Sequence, residues 1–284
     1  MAKTLRIRLN TDIYREPTEQ EIREAKDYVL RMSEYADVLG DKVLDVLRDA
    51  ARTIALICLK YNIPAKDFEI AANKDMQDEV YAVMDDVEDE IFDLMQDYST
   101  RCDDNEERRK LLLLWLLSLG WGNKNLRDTL HDKLRQFLYD LEAQIAAMKL
   151  AGYTADKAVE RILETLTGVY KGREVQQAIM RPIRMAAFYI QERGVHHGNR
   201  GQSSSGANNV ISMVKTTLTM AWQYMRGLIF KARGAIGYYQ LRGSTYNCDP
   251  CDSEVGFHKG LEGITEKPMV HPNCMCYRIP VYNK

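Results

Sequence analysis

The motif Cys248-Asp249-Pro250-Cys251 and, after nineteen intervening residues, the motif His271-Pro272-Asn273-Cys274-Met275-Cys276 place four cysteines and a histidine near the end of this 284-residue chain. Each motif holds two metal-binding side chains three residues apart, a spacing that brings both ligand atoms to one tight turn. Two such turns separated by a short loop are typical of a closed, tetrahedral zinc site with a structural role. Residues 246–284 contain few large aliphatic side chains, so this segment is expected to need the metal in order to fold.

The segment offers more ligands than a tetrahedral site uses. Because the two three-residue spacings match each other, we predict that zinc is held by Cys248, Cys251, His271 and Cys274. In the alternative, Cys276 replaces His271, since residues two apart on a strand point to the same side. A further histidine, at position 258, is a weaker candidate for a zinc ligand. Residues 1–6 show no apolar stretch of a secretory signal, so we expect reduced thiols and no disulfides.

The sequence lacks the motifs of several enzyme classes. A zinc deaminase requires H-x-E ahead of P-C-x-x-C, a metalloprotease requires H-E-x-x-H, and a phosphate-binding loop requires its glycines and lysine; none is present. His258 and Asn273 leave an HNH-like nuclease as an alternative, although its adjacent histidine with a flanking aspartate is missing. We therefore expect a structural metal, no catalytic residues and no enzymatic activity.

Most of the remaining sequence has the apolar periodicity of helices. A capping box of Thr18 and Glu21 is predicted to begin the first helix, and Gly40 is predicted to end it. Residues 111–117 are apolar on all sides and are expected to be buried. The predicted helices cover residues 22–36, 43–58, 80–98, 126–145, 154–170, 175–190 and 210–230.

These patterns define the fold class and the domains. We predict a mainly α protein in which a multi-helix body, residues 1–193, is followed by a Gly/Ser-rich flexible linker, residues 194–209. Residues 210–284 are predicted to form a helix and the small zinc-stapled module. Residues 238–242 and 276–282 alternate like strands and are expected to pair in a short β-hairpin.

Charge is distributed unevenly along the chain, although the net charge is only −2. Residues 75–106 contain thirteen acidic residues and one basic residue, whereas residues 171–242 contain eleven basic and two acidic residues. Solvated helical faces produce such a pattern without any partner. The alternative is that the two regions are docking surfaces for different partners.

The C-terminal motifs also carry a resemblance to a known family. The stretch from Gly237-Tyr238-Tyr239-Gln240-Leu241-Arg242-Gly243 through Cys248-Asp249-Pro250-Cys251 and Gly256 to His271-Pro272-Asn273-Cys274-Met275-Cys276 resembles the phage Mu F-like minor head proteins, also called phage head morphogenesis proteins. Their signature is C-x-x-C followed by H-P-N-C-x-C, in which x before the last cysteine is usually arginine. Here that residue is Met275. The resemblance is confined to residues 210–284.

The resemblance implies a minor head (capsid) protein of a tailed phage that acts in head morphogenesis. The expected partners are the portal protein, the major capsid protein or both, and packaged DNA through the basic residues 171–242, with no membrane involved. The protein would lie in the virion head, after a period in the host bacterial cytoplasm during assembly. The alternative function is that of a zinc-dependent nucleic-acid-binding protein or HNH-like nuclease.

Overall fold

The computed structural model describes residues 15, 17–121, 124–166, 206–243, 248–266, 268–270, 274 and 276–283. Within these residues the predicted mainly α fold, with a small sheet near the C-terminus, is confirmed. The helices are α1 (Glu19–Lys60), α2 (Lys74–Thr100), α3 (Glu106–Ser118), α4 (Leu126–Leu150), α5 (Ala155–Leu166), α6 (Gly206–Ala232), α7 (Asp249–Ser253) and α8 (Glu262–Glu266). The strands are β1 (Gly120–Trp121), β2 (Lys124–Asn125), β3 (Gly237–Leu241), β4 (Gly256–Lys259) and β5 (Tyr277–Val281).

Helix α1 begins at the predicted capping box. The Glu21 amide donates to the Thr18 hydroxyl over 3.2 Å, and the Thr18 amide donates to the Glu21 carboxylate over 2.8 Å. Two backbone donors that the helix leaves unpaired are thereby satisfied. Burial acts to raise the pKa of Glu21, but hydrogen bonds from Arg15 and Thr18 outweigh it and lower the pKa below its usual 4.5.

Replacement of Thr18 by alanine is expected to lower the free energy of unfolding by about 1 kcal/mol, since one side of the box is lost. Thr18→Ser keeps the hydroxyl and should be close to the wild type in urea titrations. Because the folded-state pKa of Glu21 is lowered, its contribution is present above pH 4.5 and is lost as the pH falls through the lowered value. The Thr18→Ala effect should therefore shrink in acid, and an undiminished effect would contradict this role for Glu21.

The prediction that Gly40 ends the first helix is wrong, because α1 continues without a break to Lys60. Buried Ala36 and Leu39 precede the glycine, and buried Val43 and Leu47 follow it at the same helical spacing. A glycine inside a helix costs only about 1 kcal/mol relative to alanine. Burial of an apolar stripe that runs through the glycine outweighs that cost, so the packing decides the length of the helix.

The prediction for residues 80–98 is confirmed by α2, whereas the expected burial of residues 111–117 in α3 is wrong. Only Leu112 and Leu116 of α3 are buried, while Leu111, Leu114 and Leu117 are 50%, 64% and 56% exposed. A short helix with one covered face buries positions four apart and leaves the others in solvent. An apolar composition therefore did not specify burial here.

The chain divides into two compact units, each assembled from separate stretches of sequence. The first comprises residues up to 38, residues 96–116 and residues 215–284; the second comprises residues 39–95 and 117–214. Residues 167–205, which include the predicted helix at 175–190 and most of the predicted linker, lie outside the described residues. The rest of that linker, residues 206–209, belongs to α6.

The core of the first unit surrounds Trp222 of α6. Its indole nitrogen donates to the Tyr98 carbonyl over 3.2 Å, and its own carbonyl accepts from the Tyr28 hydroxyl over 2.7 Å. The rings of Tyr28 and Tyr35 lie 5.5 and 5.2 Å from the indole, at tilted angles. Burying these large aromatic rings while the Trp222 indole nitrogen and the Tyr28 hydroxyl are hydrogen-bonded gives this unit a specific core.

In the second unit, the beginning of α6 is attached to the middle of α4. The Gly206 amide donates to the Asp140 carboxylate over 2.6 Å. A Cβ atom at position 206 would lie 2.4 Å from the Phe137 backbone, so this contact requires glycine.

None of the helices that the structure describes is long and apolar enough to cross a membrane.

The sheet of the first unit has the antiparallel order β4-β3-β5. The predicted pairing of the two alternating segments is confirmed by β3 and β5, in which Tyr239 lies opposite Ile279. Strand β4 was not predicted; it adds a second neighbour to β3, with Tyr238 opposite His258. Tyr239 and Ile279 pack against Ala25 of α1, so the sheet lies on the first turns of the N-terminal helix.

Candidate metal centre

The first cysteine pair is held by the short helix α7. Cys248 is the N-cap residue of α7, Pro250 occupies its first turn and Cys251 lies within it. The Asp252 amide donates to the Cys248 carbonyl over 2.8 Å and closes the turn. Because proline is pre-set for the first helical turn, the sequence Cys-Asp-Pro-Cys favours this local shape.

The second pair, Cys274 and Cys276, directly precedes β5. The thiol sulfurs of Cys251, Cys274 and Cys276 all lie within 4.8 Å of one another. Those of Cys251 and Cys274 are 3.7 Å apart. In a tetrahedral site with metal–sulfur bonds of about 2.3 Å, two sulfurs are separated by about 3.8 Å. These three thiols therefore have the spacing needed to hold a metal ion.

All four cysteines of the C-terminal segment are buried, with 3% to 7% of each residue exposed. Cys248 belongs to the same buried cluster as the other three, against which Met269 and Val270 pack. The backbone of Cys276 is held from α6, since the buried Gln223 side chain donates to its carbonyl over 3.3 Å. The centre thus ties α7, the start of β5 and α6 together inside one unit.

Burial and mutual proximity make these thiols hard to ionise without a cation. Burial and, after it, the neighbouring Cys274 thiol together raise the pKa of Cys251 to about 12. For Cys276, its hydrogen bond with Cys274 and burial favour the protonated thiol and raise the pKa above its ordinary value of 9.0. A bound divalent cation reverses this balance, because it binds and stabilises the thiolates.

Two arginines lie beside the cluster. Arg278 is 5% exposed; its side chain donates to the Gln240 amide oxygen over 3.1 Å and to the Pro268 carbonyl over 2.8 Å. Burial lowers the pKa of Arg278, whereas its interactions with Tyr238, Cys274 and Cys276 act in the opposite direction. Arg242 forms an ion pair with Asp252 of α7 and also interacts electrostatically with the cysteines.

The structure brings together two of the four predicted ligands, Cys251 and Cys274, with the alternative ligand Cys276. The third predicted ligand, Cys248, lies in the same buried cluster. His271 lies outside the described residues, as does Asn273 of the nuclease alternative. His258 is engaged in the sheet: its ring stacks on Tyr238 at 4.8 Å and bonds the Glu254 carbonyl over 2.8 Å.

Sequence reasoning missed Arg278, although a signal was available. Residues 274, 276 and 278 are two apart, so in an extended segment they point to the same side. The arginine is therefore expected on the same face as the two cysteines. Gln240, its partner on β3, had no such signal, because the register between β3 and β5 decides that contact.

The acidic stretch on α2 is only partly solvated. The Glu88 carboxylate has 12% of its side chain exposed and accepts from Arg127 over 2.9 Å and from His131 over 2.8 Å. Arg127 also pairs with Asp89. His131 lines a cavity of about 620 Å³ in the second unit, but no serine, threonine or cysteine is among the lining residues. The arrangement therefore offers a histidine oriented by a carboxylate, without a serine, threonine or cysteine nucleophile among the lining residues.

Comparisons with protein families, with curated proteins and with solved structures find no match for this chain. What the protein does must therefore be inferred from its own residues. The cysteine cluster is the most specific of these features, because it joins two sequence motifs that lie far apart along the segment.

Proposed function

We propose that this protein is a minor head protein of a tailed phage, acting in head morphogenesis at the portal or the inner capsid surface. The observation that carries the proposal is the convergence of Cys251, Cys274 and Cys276, which belong to the motifs that resemble the phage Mu F-like family. Their position between α7 and β5 supports a compact docking module of the kind that the resemblance implies.

The metal at this centre is zinc, and its role is structural. Soft thiolate ligands in a tetrahedral arrangement favour zinc or an iron–sulfur cluster over hard cations. Catalytic zinc keeps an open position for water or substrate, whereas the cysteines here are almost completely buried. This burial supports a role in holding the module together and argues against an enzyme that acts at this centre.

The acidic side of α2 is the surface proposed to meet another head protein. Among the described residues, Asp85, Asp86 and Asp93 are exposed and make no ion pair. Several basic residues of the C-terminal half have intramolecular partners instead, such as Lys215 with Asp37. Contact with packaged DNA would accordingly depend mainly on the basic residues 171–200, which lie outside the described part of the chain.

The test is incorporation into heads. The triple variant Asp85→Lys, Asp86→Lys and Asp93→Lys should fold normally, since exposed charges contribute little to stability. It should nevertheless be lost from heads purified from a phage that carries the gene, with its amount measured by mass spectrometry relative to the capsid protein. The triple variant Asp27→Lys, Glu34→Lys and Asp41→Lys makes the same charge change on exposed residues of α1 and should be retained.

Two results would contradict the proposal. Full incorporation of the α2 variant would exclude the acidic side of α2 as the docking surface, and absence of the wild-type protein from assembling and mature heads would exclude the head function. The alternative, a nucleic-acid-binding protein or nuclease, predicts DNA affinity that falls steeply with salt or metal-dependent cleavage by the purified protein. Strong binding or cleavage outside any head would favour that alternative.

A further inference from the structure

The number of buried thiols exceeds the three that the preferred motif pairing uses. The sulfur of Cys276 lies within 4.8 Å of those of Cys251 and Cys274. Cys248 is a member of the same cluster of buried residues. If histidine supplied the fourth ligand, the Cys276 thiol would remain beside the metal without a bond. It would then occupy the space in which a fourth tetrahedral ligand is needed.

The charges around the cluster also bear on which side chain supplies the fourth ligand. A zinc ion with four thiolates has two net negative charges, and with three thiolates and a neutral imidazole it has one. Such charge inside a protein is costly unless cations or hydrogen bonds compensate it. Arg278 provides a buried cation whose charge interacts with Cys274 and Cys276. Arg242, which is partly exposed and paired with Asp252, interacts with Cys251 and Cys276.

Arg278 is also held firmly in place. Gln240 of β3 and the Pro268 carbonyl accept from two different nitrogens of its guanidinium, and the guanidinium carbon lies 5.4 Å from the centre of the Tyr238 ring. Residues that orient and balance a metal site from outside its ligands affect metal affinity strongly. A fixed, buried cation beside the thiols is suited to that role.

We infer that the zinc centre is a four-thiolate site formed by Cys248, Cys251, Cys274 and Cys276, with Arg278 as the positioning residue that balances its negative charge. This inference rests on the zinc binding of the proposed function and replaces His271 by Cys276 in the ligand set. It also assigns a role to Arg278, a residue that lies outside both cysteine motifs.

Cobalt(II) substitution of the full-length protein tests the ligand set. Cobalt(II) occupies tetrahedral zinc sites, and its visible absorption lies at longer wavelength with four thiolates than with three thiolates and an imidazole. The wild type should give the four-thiolate spectrum, and His271→Ala should leave it unchanged. Cys276→Ser should shift the absorption to shorter wavelength and weaken zinc binding. A spectrum that changes in His271→Ala but not in Cys276→Ser would overturn the four-thiolate assignment.

Zinc affinity, measured by competition with a chelating indicator, tests Arg278. Arg278→Met should lower the affinity by about 10–100-fold while the four-thiolate cobalt spectrum is retained. Arg278→Lys keeps the charge and should recover most of the affinity. If Arg278→Met fails to fold, Arg278→Lys still tests the role of the charge, because it is expected to keep most of the zinc affinity. Equal losses in both variants, or no loss in either, would overturn the role of charge.

The outcomes separate this inference from the proposed function. A purified protein that binds neither zinc nor cobalt would refute the zinc centre as a whole. Metal bound through His271 would refute only the four-thiolate assignment. Neither result depends on whether the protein enters phage heads.

Discussion

Cys251→Ser is expected to abolish zinc binding and unfold the C-terminal segment, the largest effect of any single substitution in the chain. Zinc stabilises small structural sites by an apparent 10–16 kcal/mol or so, which is comparable to the whole stability of a typical domain. The wild type should contain about one zinc ion per chain, and the variant should contain none. The helical signal should change little, because the described residues between 248 and 283 contribute only the short helices α7 and α8.

Cys102→Ser is the matched control for this prediction. Its thiol is partly buried and donates to the Ser99 carbonyl over 3.2 Å, a bond that the serine hydroxyl can also make. This variant should keep its zinc and its resistance to proteolysis. Limited proteolysis followed by mass spectrometry should find new cleavage after residue 243 in Cys251→Ser alone. A metal-free protein whose C-terminal segment still resists proteolysis would refute the structural role of the metal.

Trp222→Ala is expected to lower the free energy of unfolding of the first unit by about 3–5 kcal/mol. The indole is 2% exposed and lies between Tyr28 and Tyr35, so its removal leaves a large apolar cavity. The Tyr98 carbonyl also loses the shorter of its two hydrogen bonds and keeps only the one from the Arg101 amide, at 3.4 Å. Urea titration followed by circular dichroism measures the loss.

Two further variants serve as comparisons for Trp222→Ala. Trp222→Phe refills part of the cavity but not the hydrogen bond, and should fall between the wild type and alanine. Leu114→Ala removes a side chain that is 64% exposed and should change the stability by less than about 0.5 kcal/mol. If Leu114→Ala were as damaging as Trp222→Ala, the exposed side of α3 would be covered by another molecule or another copy under the conditions used.

Local signals in the sequence predicted those parts of the fold that local interactions determine. The capping box of Thr18 and Glu21 acts within four residues, and both of its hydrogen bonds are present. The cysteine motifs likewise indicated a cluster, because thiols at this spacing are typical ligands of a single metal ion. Such features need no knowledge of distant parts of the chain.

The sequence failed where partners far apart along the chain make the decision. Gly40 stays helical because the apolar stripe on both sides of it is covered, and Leu114 is exposed because nothing in the described part of the chain covers it. Strand β4 has no clear alternation and exists through its pairing with β3. The contact between Arg278 and Gln240 likewise depends on the register between β3 and β5, which no local pattern specifies.

The discontinuous make-up of the first unit has a consequence for biosynthesis. Ala25, near the start of α1, packs against Tyr239, Ile279 and Val281, which are translated more than 200 residues later. At about 5–20 residues per second, the ribosome needs roughly 10–50 seconds to make the intervening chain. During that time the apolar side of the nascent helix has no partner from the sheet and is a target for chaperones. Folding of this unit therefore has to wait until residues 237–281 have been made, and the metal can be taken up only after Cys276 has been added.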